Sequence, residues 1–288
     1  MNNNSIAVIG GDSRQLFAAG FLAQAGYEVS VFANEHGKIP ESVNSLNHLS
    51  DINTFSIVLL PLPVSKNGKT INTPLSSQEI SIKDLMDTVT ENHTVFYGMG
   101  SESFERTLKS RTKKFYDYFT SENLILKNAY LTAEGITGII LEKLPVSLRG
   151  LKTAVTGFGR IGGFCCEILK NLGADVTVFT GSPEKILKAE FSGIKGKMNT
   201  ELLFFAKDFD CIINTVPASV LTAEIIKTTR PECVLIEAAS APYGIDAEAC
   251  AKYNRQLIKA FSLPGKTAPK SAGIIIAETV KEKFREVK

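Results

Sequence analysis

One stretch decides most of what this chain can fold into: "LKTAVTGFGRIGGFCCEILKNLGADVTVF", residues 151–179. An apolar run at 153–156 meets Gly157-Phe158-Gly159-Arg160-Ile161-Gly162, and a helical pattern and a second apolar run follow. In a strand–turn–helix unit each glycine has a task. Gly157 makes the tight turn, Gly159 lets the backbone approach a pyrophosphate, and Gly162 lets helix and strand pack closely. The pyrophosphate then meets free N–H groups at the positive end of the helix dipole. The glycine spacing alone is common, but the strand before it and the helix and strand after it make it a dinucleotide signature. The competing reading is a glycine turn kept only for packing.

Which dinucleotide it suits turns on the end of the next strand, "ADVTVFTGSPEK". An NAD site usually carries Asp or Glu there to accept from the ribose 2′-OH. This chain has Thr180, Gly181 and Ser182, with Lys185 close behind. Small hydroxyls and a lysine tolerate a 2′-phosphate that a carboxylate would repel, so NADP is expected, with NAD still possible. Ligands in open α/β sheets bind outside the carboxyl ends of strands. Two further strand ends therefore count as cofactor contacts: "NTVP", with Asn214, Thr215 and Pro217, and "EAAS", with Ala239 and Ser240. Arg160 and Ile161 of the glycine turn join them.

The rest of the chain repeats the alternation. In the first half "SIAVIG", "YEVSVF", "FSIVLLPLP", "TVFYGM" and "KKFYDYF" read as strands, with helical patterns at 13–25, 79–89 and 101–110. Strands alternating with helices argue for parallel βαβ units. The polar stretch 63–80 reads as a long loop. In the second half helices are expected at about 160–172, 184–190, 219–228 and 246–253. Between the halves, Ile136, Ile139, Ile140 and Leu144 share one helical face ended by Pro145. The expected architecture is α/β, with two Rossmann-like doubly wound domains linked by long helices. Residues 1–131 with 268–288 form the first, 132–150 a connecting helix, and 151–267 the NAD(P)-binding domain.

The chain also opens on a strand and glycine turn, "SIAVIGGDSRQ", but Asp12 and Gln15 stand where fingerprint glycines belong. Asp12 would set a negative charge against a pyrophosphate. Asp12 as N-cap with Gln15 three residues on approximates a capping box. The alternative is a substrate-side role, with Arg14 on the turn reaching for an anion.

Composition removes other classes. With 32 basic against 30 acidic residues, the charge gives no reason to expect nucleic acid or a membrane surface as partner. No uninterrupted apolar run approaches a bilayer span, and the first residues lack a signal-peptide pattern. The five cysteines form no CxxC pair and the three histidines show no metal-ligand spacing, so no metal is expected and the thiols read as reduced core residues of a cytoplasmic protein. The domain plan is similar to that of the D-2-hydroxy-acid dehydrogenases, but those use a histidine late in the chain, and none follows His93 here.

"IAVIGGDSRQ", "NAYLTAEG", "VTGFGRIGG", "INTVPASVL" and "LPGKTAPKSAG" follow the order and spacing of the family of dipicolinate synthase A subunits, which the chain resembles over nearly its whole length. The resemblance implies oxidation of dihydrodipicolinate, or a hydrated precursor, to dipicolinate with NADP as acceptor. It also implies the flavoprotein-like B subunit of dipicolinate synthase as partner, in the mother-cell cytoplasm of a sporulating bacterium. A homo-oligomer is expected. Aromatising a dihydropyridine is downhill, so such a site must mainly align the ring, hold two carboxylates and take a proton. Arg14 and Lys270 suit the carboxylates, Thr132 can donate to one, and Glu134, expected at the start of the connecting helix, suits a base. Lys270 and Glu134 are the catalytic candidates. Two alternatives stay open: a nucleotide-binding scaffold within the synthase, since acid–base residues are scarce, and a keto-acid reductase with an unfamiliar acid.

Overall fold

The computed structural model describes residues 4–286. The chain divides into two compact units, Met1–Asn128 with Ala268–Lys288, and Ala129–Thr267.

The first unit runs β1 (Ser5–Ile9), α1 (Ser13–Gln24), β2 (Glu28–Phe32), β3 (Asn44–Ser45), β4 (Ile57–Leu59), α2 (Ile82–Thr88), β5 (Thr94–Tyr97), α3 (Glu102–Lys109) and β6 (Phe115–Asp117). Its strands pair in parallel in the order β3-β2-β1-β4-β5-β6. Next comes α4 (Glu122–Lys143), and the division between units falls inside it.

The second unit continues with β7 (Lys152–Thr156), α5 (Arg160–Asn171), β8 (Asp175–Thr180), α6 (Pro183–Phe191), β9 (Lys195–Met198) and α7 (Leu202–Phe205). It closes with β10 (Cys211–Asn214), α8 (Ala223–Thr228), β11 (Val234–Glu237), α9 (Ala247–Lys252), β12 (Gln256–Lys259) and α10 (Leu263–Thr267). Its order is β12-β11-β10-β7-β8-β9, the same arrangement read from the other edge. Both sheets thus have the dinucleotide-fold order, whose switch point lies beside the first strand of each.

Parallel sheets are covered on both faces, so their strands must be apolar on both. In β1, Ile6 and Val8 enter one core cluster while Ala7 and Ile9 enter the other. In the second sheet Val155, Cys211, Ile213, Val234 and Ile236 fill one face, and Ala154, Ile212, Cys233 and Leu235 the other. All five cysteines are buried and unbridged. Burial pushes the Cys166 and Cys233 thiols up to about 12 and Cys250 to about 11.

The last helix, α11 (Pro269–Glu286), completes the first unit by packing on α1. Ile276, Ala277, Val280 and Phe284 join Leu16, Ala18, Ala19 and Leu22 in one cluster. Each large side chain buried there stabilises by about 1.5–3 kcal/mol. The helices pack closely at Gly273, where an added Cβ would run into the Arg14 carbonyl oxygen and lie 3.0 Å from the Ala18 nitrogen.

The structure departs from the sequence expectations at three places. The connecting helix does not begin at 132: it starts at Glu122, and Glu134 lies in its middle, so it is not a helix-start acid. The strands β3 and β9 are not foreshadowed in the sequence, because "NS" and "KGKM" carry almost no β-branched or aromatic signal. At the other strand ends the helices lie within a few residues of where their periodicity puts them. Over an 18-residue window α4 reaches a mean hydropathy of 1.2, but half of that window is buried within the protein.

Gly273→Ala is expected to lower stability by about 1–3 kcal/mol, because the new methyl meets backbone that cannot yield. Gly138→Ala, in the interior of α4 with nothing within 4 Å of its added Cβ, should instead gain about 0.5–1 kcal/mol. Urea unfolding midpoints of the two variants, moving in opposite directions, check the pair.

Candidate functional site

The turn between β7 and α5 has the geometry its three glycines imply. Gly157 has φ +88°, and its N–H donates to the Phe179 carbonyl at 2.7 Å. A Cβ on Gly157 would collide with the Val216 and Thr215 side chains at 2.6 and 2.9 Å. A Cβ on Gly162 would meet the Gly157 carbonyl oxygen at a distance no side chain tolerates, which brings α5 hard against the strand end. At Gly159 nothing lies within 4 Å of the corresponding position. Gly159 is the N-cap of α5, with no side-chain cap and no acidic residue in the first turn. An open backbone approach, an uncapped helix start and no competing carboxylate fit the pyrophosphate of a dinucleotide. Arg160 and Ile161 flank that start; Arg160 is exposed and Ile161 half-buried.

At the end of β8, Thr180 is buried and its hydroxyl accepts from the Ser182 N–H at 3.3 Å. Ser182 is the N-cap of α6, its hydroxyl accepting from the Lys185 N–H at 3.4 Å. Lys185 is exposed, and the nearby acid, Glu184, pairs with Lys188 at 2.8 Å. Among the described residues, Thr180, Gly181 and Ser182 at this strand end bring no carboxylate.

The strand end at Asn214 differs from the expectation. Asn214 is fully buried, and its amide faces the protein, not a ligand. Its Oδ1 accepts from the Thr156 hydroxyl at 2.6 Å and the Val216 N–H at 3.2 Å; its Nδ2 donates to the Val216 carbonyl at 3.0 Å and to Glu237 Oε1 at 2.7 Å. Glu237, also buried, accepts three further bonds, from the N–H groups of Ala239, Gly244 and Ile245 at 2.8–2.9 Å. This network ties the ends of β7, β10 and β11 together and fixes the loops that follow. Sequence reasoning does not single out Glu237: its one signal is an acid closing the apolar strand "CVLIE". Thr215 also bonds inward, its hydroxyl donating to the Thr156 carbonyl at 2.7 Å. Pro217 and Ser240 are exposed beyond these strands, and Ala239 is buried.

In the first unit the corresponding turn is closed. Gly11 donates its N–H to the Asn72 carbonyl at 2.8 Å, and a Cβ on Gly10 would meet Thr73 at 2.8 Å. The loop 63–80 thus crosses the turn where a dinucleotide would lie. Its far side is fastened by Ser76 and Ser77, which donate to Glu35 at 2.8 and 2.7 Å. Backbone N–H donors of Glu35 and Ser77 hold the Glu35 carboxyl below the usual carboxylate range.

Asp12 caps α1 as expected, accepting from the Arg14 N–H at 3.0 Å. Gln15, however, does not complete a capping box. Its amide is fully buried under Gly11 with neither polar atom paired. Arg14 is buried as well, its Nε and Nη2 on the Asp12 carboxylate at 2.9 Å and its Nη2 on the Leu62 carbonyl at 2.6 Å. Lys270 is exposed in the first turn of α11, one turn before the Gly273 that touches the Arg14 backbone. In α4, Thr132 is buried and Glu134 exposed.

The first unit also contains an open cavity of about 500 Å³ beside β6. Glu105, Asp117, Glu282 and Glu286 line it, against Lys283, which pairs with Glu286. Burial raises the Asp117 carboxyl above its ordinary range. That surplus of acids has the wrong sign for an anionic ligand.

Comparison with known proteins agrees with this geometry. Residues 5–119 match the family model for the N-terminal domain of the dipicolinate synthase A subunit. Over 98% of this chain and 96% of the relative, the sequence is 26% identical to the dipicolinate synthase A subunit of Bacillus subtilis. The crystal structure of dipicolinate synthase from the same organism superposes with a TM-score of 0.86 at 25% identity, covering 100% and 97% of the two chains. The A subunit from Bacillus halodurans gives 0.87 at 24%, covering 98% of each. A transhydrogenase from Sinorhizobium meliloti shares the fold at 0.73 and 15% identity, over 98% of this chain and 94% of that one.

Replacing Glu237 by Ala is expected to cost about 3–5 kcal/mol, since it leaves three buried N–H groups and the Asn214 amide without their acceptor. Glu237→Gln should recover only part of this, because one amide end must face a donor. Thermal unfolding of both variants measures it. By the family model over its first domain and by full-length likeness in sequence and fold, the chain is similar to the dipicolinate synthase A subunits.

Proposed function

We propose that this chain is the nicotinamide-dependent component that oxidises dihydrodipicolinate, or its hydrated precursor, to dipicolinate, with NADP as acceptor. The observation that carries this reading is the turn at 157–162, open over Gly159 and uncapped at the start of α5, in a chain similar over its whole length to dipicolinate synthase A subunits. When bound, a nicotinamide dinucleotide supplies the acceptor for the hydride leaving the ring. Gly157, Gly159, Arg160, Ile161 and Gly162 hold its pyrophosphate. Thr180, Ser182 and Lys185 border its adenosine ribose, while Thr215, Pro217, Ala239 and Ser240 border its other half. Asn214 acts from beneath, through Thr156 and Glu237.

The substrate carries two carboxylates; dihydrodipicolinate loses a hydride and one proton, and its hydrated precursor loses a water as well. Lys270, exposed and without an acid in its helix turn, meets one carboxylate. Arg14 offers the other its Nη1, the guanidinium nitrogen not engaged by Asp12 or Leu62. The Thr132 hydroxyl donates to a carboxylate oxygen, and Glu134 takes the proton. The flavoprotein-like B subunit is the partner, the chain itself assembles as a homo-oligomer, and both act in the mother-cell cytoplasm during sporulation.

Mixing the purified chain, the B subunit, NADP and dihydrodipicolinate should produce the ultraviolet absorption of dipicolinate. Equal rates with the B subunit alone would remove the enzymatic role. A scaffold role is the second reading, favoured by the pairing of Arg14 with Asp12 and by the lack of histidine after His93. Glu134→Gln and Lys270→Met, tested separately, should each lower turnover at least about tenfold while NADP affinity holds. Unchanged turnover in both variants would select the scaffold.

A further inference from the structure

The geometry points to Asn199 as the side chain that reads the 2′ position of the adenosine ribose and sets the preference for NADP over NAD. This inference rests on the nucleotide-binding reading of the turn at 157–162, and it adds a residue that no motif signals.

The parallel pairing of β8 with β9 ends with Thr180 beside Met198. The next residues on each chain segment, Gly181 and Asn199, therefore stand side by side at the carboxyl end of the sheet. Gly181 is the middle residue of the strand end Thr180–Ser182, where NAD sites present a carboxylate to the 2′-OH. A Cβ built on Gly181 would find one side-chain atom within 4 Å, the Nδ2 of Asn199 at 3.8 Å. The space left by the missing carboxylate is thus bordered by an amide donor. The other end of that amide, Oδ1, is buried without a partner, and Nδ2 makes no hydrogen bond among the described residues. Turning the amide over would bring its carbonyl oxygen to Gly181 and oppose a 2′-phosphate, so the donor role belongs to the orientation the structure holds, nitrogen toward Gly181. An amide held in this way is committed to nothing in the protein and has its free donor over the ribose position.

Beside it, the Thr180 and Ser182 hydroxyls accept from the Ser182 and Lys185 N–H groups and keep their own O–H hydrogens to donate, so they add to the Asn199 donor. The Lys197 ammonium lies 4.1 Å from the centre of the Phe205 ring and 3.4 Å from the Glu201 carboxylate. Lys185 is exposed, and it adds positive charge without fixed geometry. A 2′-phosphate, rich in acceptors, would take the Asn199 N–H and the Lys185 charge together. A 2′-hydroxyl gains less from a donor and nothing from the lysine.

Titrating NADPH and NADH into the full chain, followed by nicotinamide fluorescence, tests this. The wild type should bind NADPH at least about tenfold tighter than NADH. Asn199→Asp should raise the NADPH Kd at least about tenfold and leave the NADH Kd within about threefold, so that retained NADH binding also reports a folded site. Asn199→Ala should weaken NADPH alone, by less. If the wild type binds neither nucleotide, the nucleotide-binding reading itself falls and takes this inference with it. If the wild type binds but prefers NADH, or Asn199→Asp changes both affinities alike or neither, Asn199 is not the reader and only this inference is overturned.

Discussion

The second unit depends on how closely α5 approaches the strand before it. Gly162 lies so near the Gly157 carbonyl that no side chain fits between them. This contact sets the helix start directly over the end of β7 and turns its first N–H groups toward the space above Gly159. Everything else at that sheet end is arranged to keep the seat fixed. Thr156, the residue before the turn, bonds to Asn214, and Asn214 bonds to Glu237, so side-chain hydrogen bonds join three strand ends. A carboxyl group buried this deeply is tolerated because its oxygens find donors. An anion site formed in this way needs little reorganisation when its ligand arrives.

The first unit shows what the same topology does when that contact is absent. Its sheet has the same strand order and its chain the same strand–turn–helix opening. At the position of the packing glycine stands Gln15, whose amide fills the space beneath Gly11. Asp12 brings a carboxylate to the helix start, and the loop 63–80 lies across the turn through the Gly11–Asn72 hydrogen bond. Charge, volume and backbone pairing all oppose a pyrophosphate there. One fold thus appears twice in the chain, once open to a dinucleotide and once sealed by its own loop.

The strands that pass through the cores are readable in the sequence, because both their faces are apolar and their ends are marked by glycine or proline. The strand β9 is not, since an edge strand of alternating Lys and Gly satisfies its backbone without a hydrophobic pattern. The start of α4 escapes for a different reason. Its N-terminal turns carry Glu122, Asn123, Lys127 and Asn128, which hide the helical face that Ile136 and Ile140 show clearly. At the site, the glycines are legible because their roles are steric and local. Asn214 reads as a ligand contact because a polar residue at a strand end looks the same whether it faces outward or inward. Only the position of Glu237, far away in sequence, decides that it faces inward. Asn199 is invisible, as its place beside Gly181 follows from the register of a strand that the sequence does not announce.

Electrostatics at the start of α1 constrains how a dicarboxylate can be held. Arg14 is already neutralised by Asp12, with two guanidinium nitrogens on that carboxylate and one of them shared with the Leu62 carbonyl. An incoming carboxylate therefore meets a pair of zero net charge, and the attraction available from Arg14 is directional hydrogen bonding through Nη1 rather than charge. Lys270 sits near the positive end of α11 with no acid in its turn. A helix start mildly disfavours a lysine, and an anion lying against it reverses that cost. Under the proposed function, Lys270 would supply the charge that draws a dianion in, and the Asp12–Arg14 pair the fixed direction that orients it.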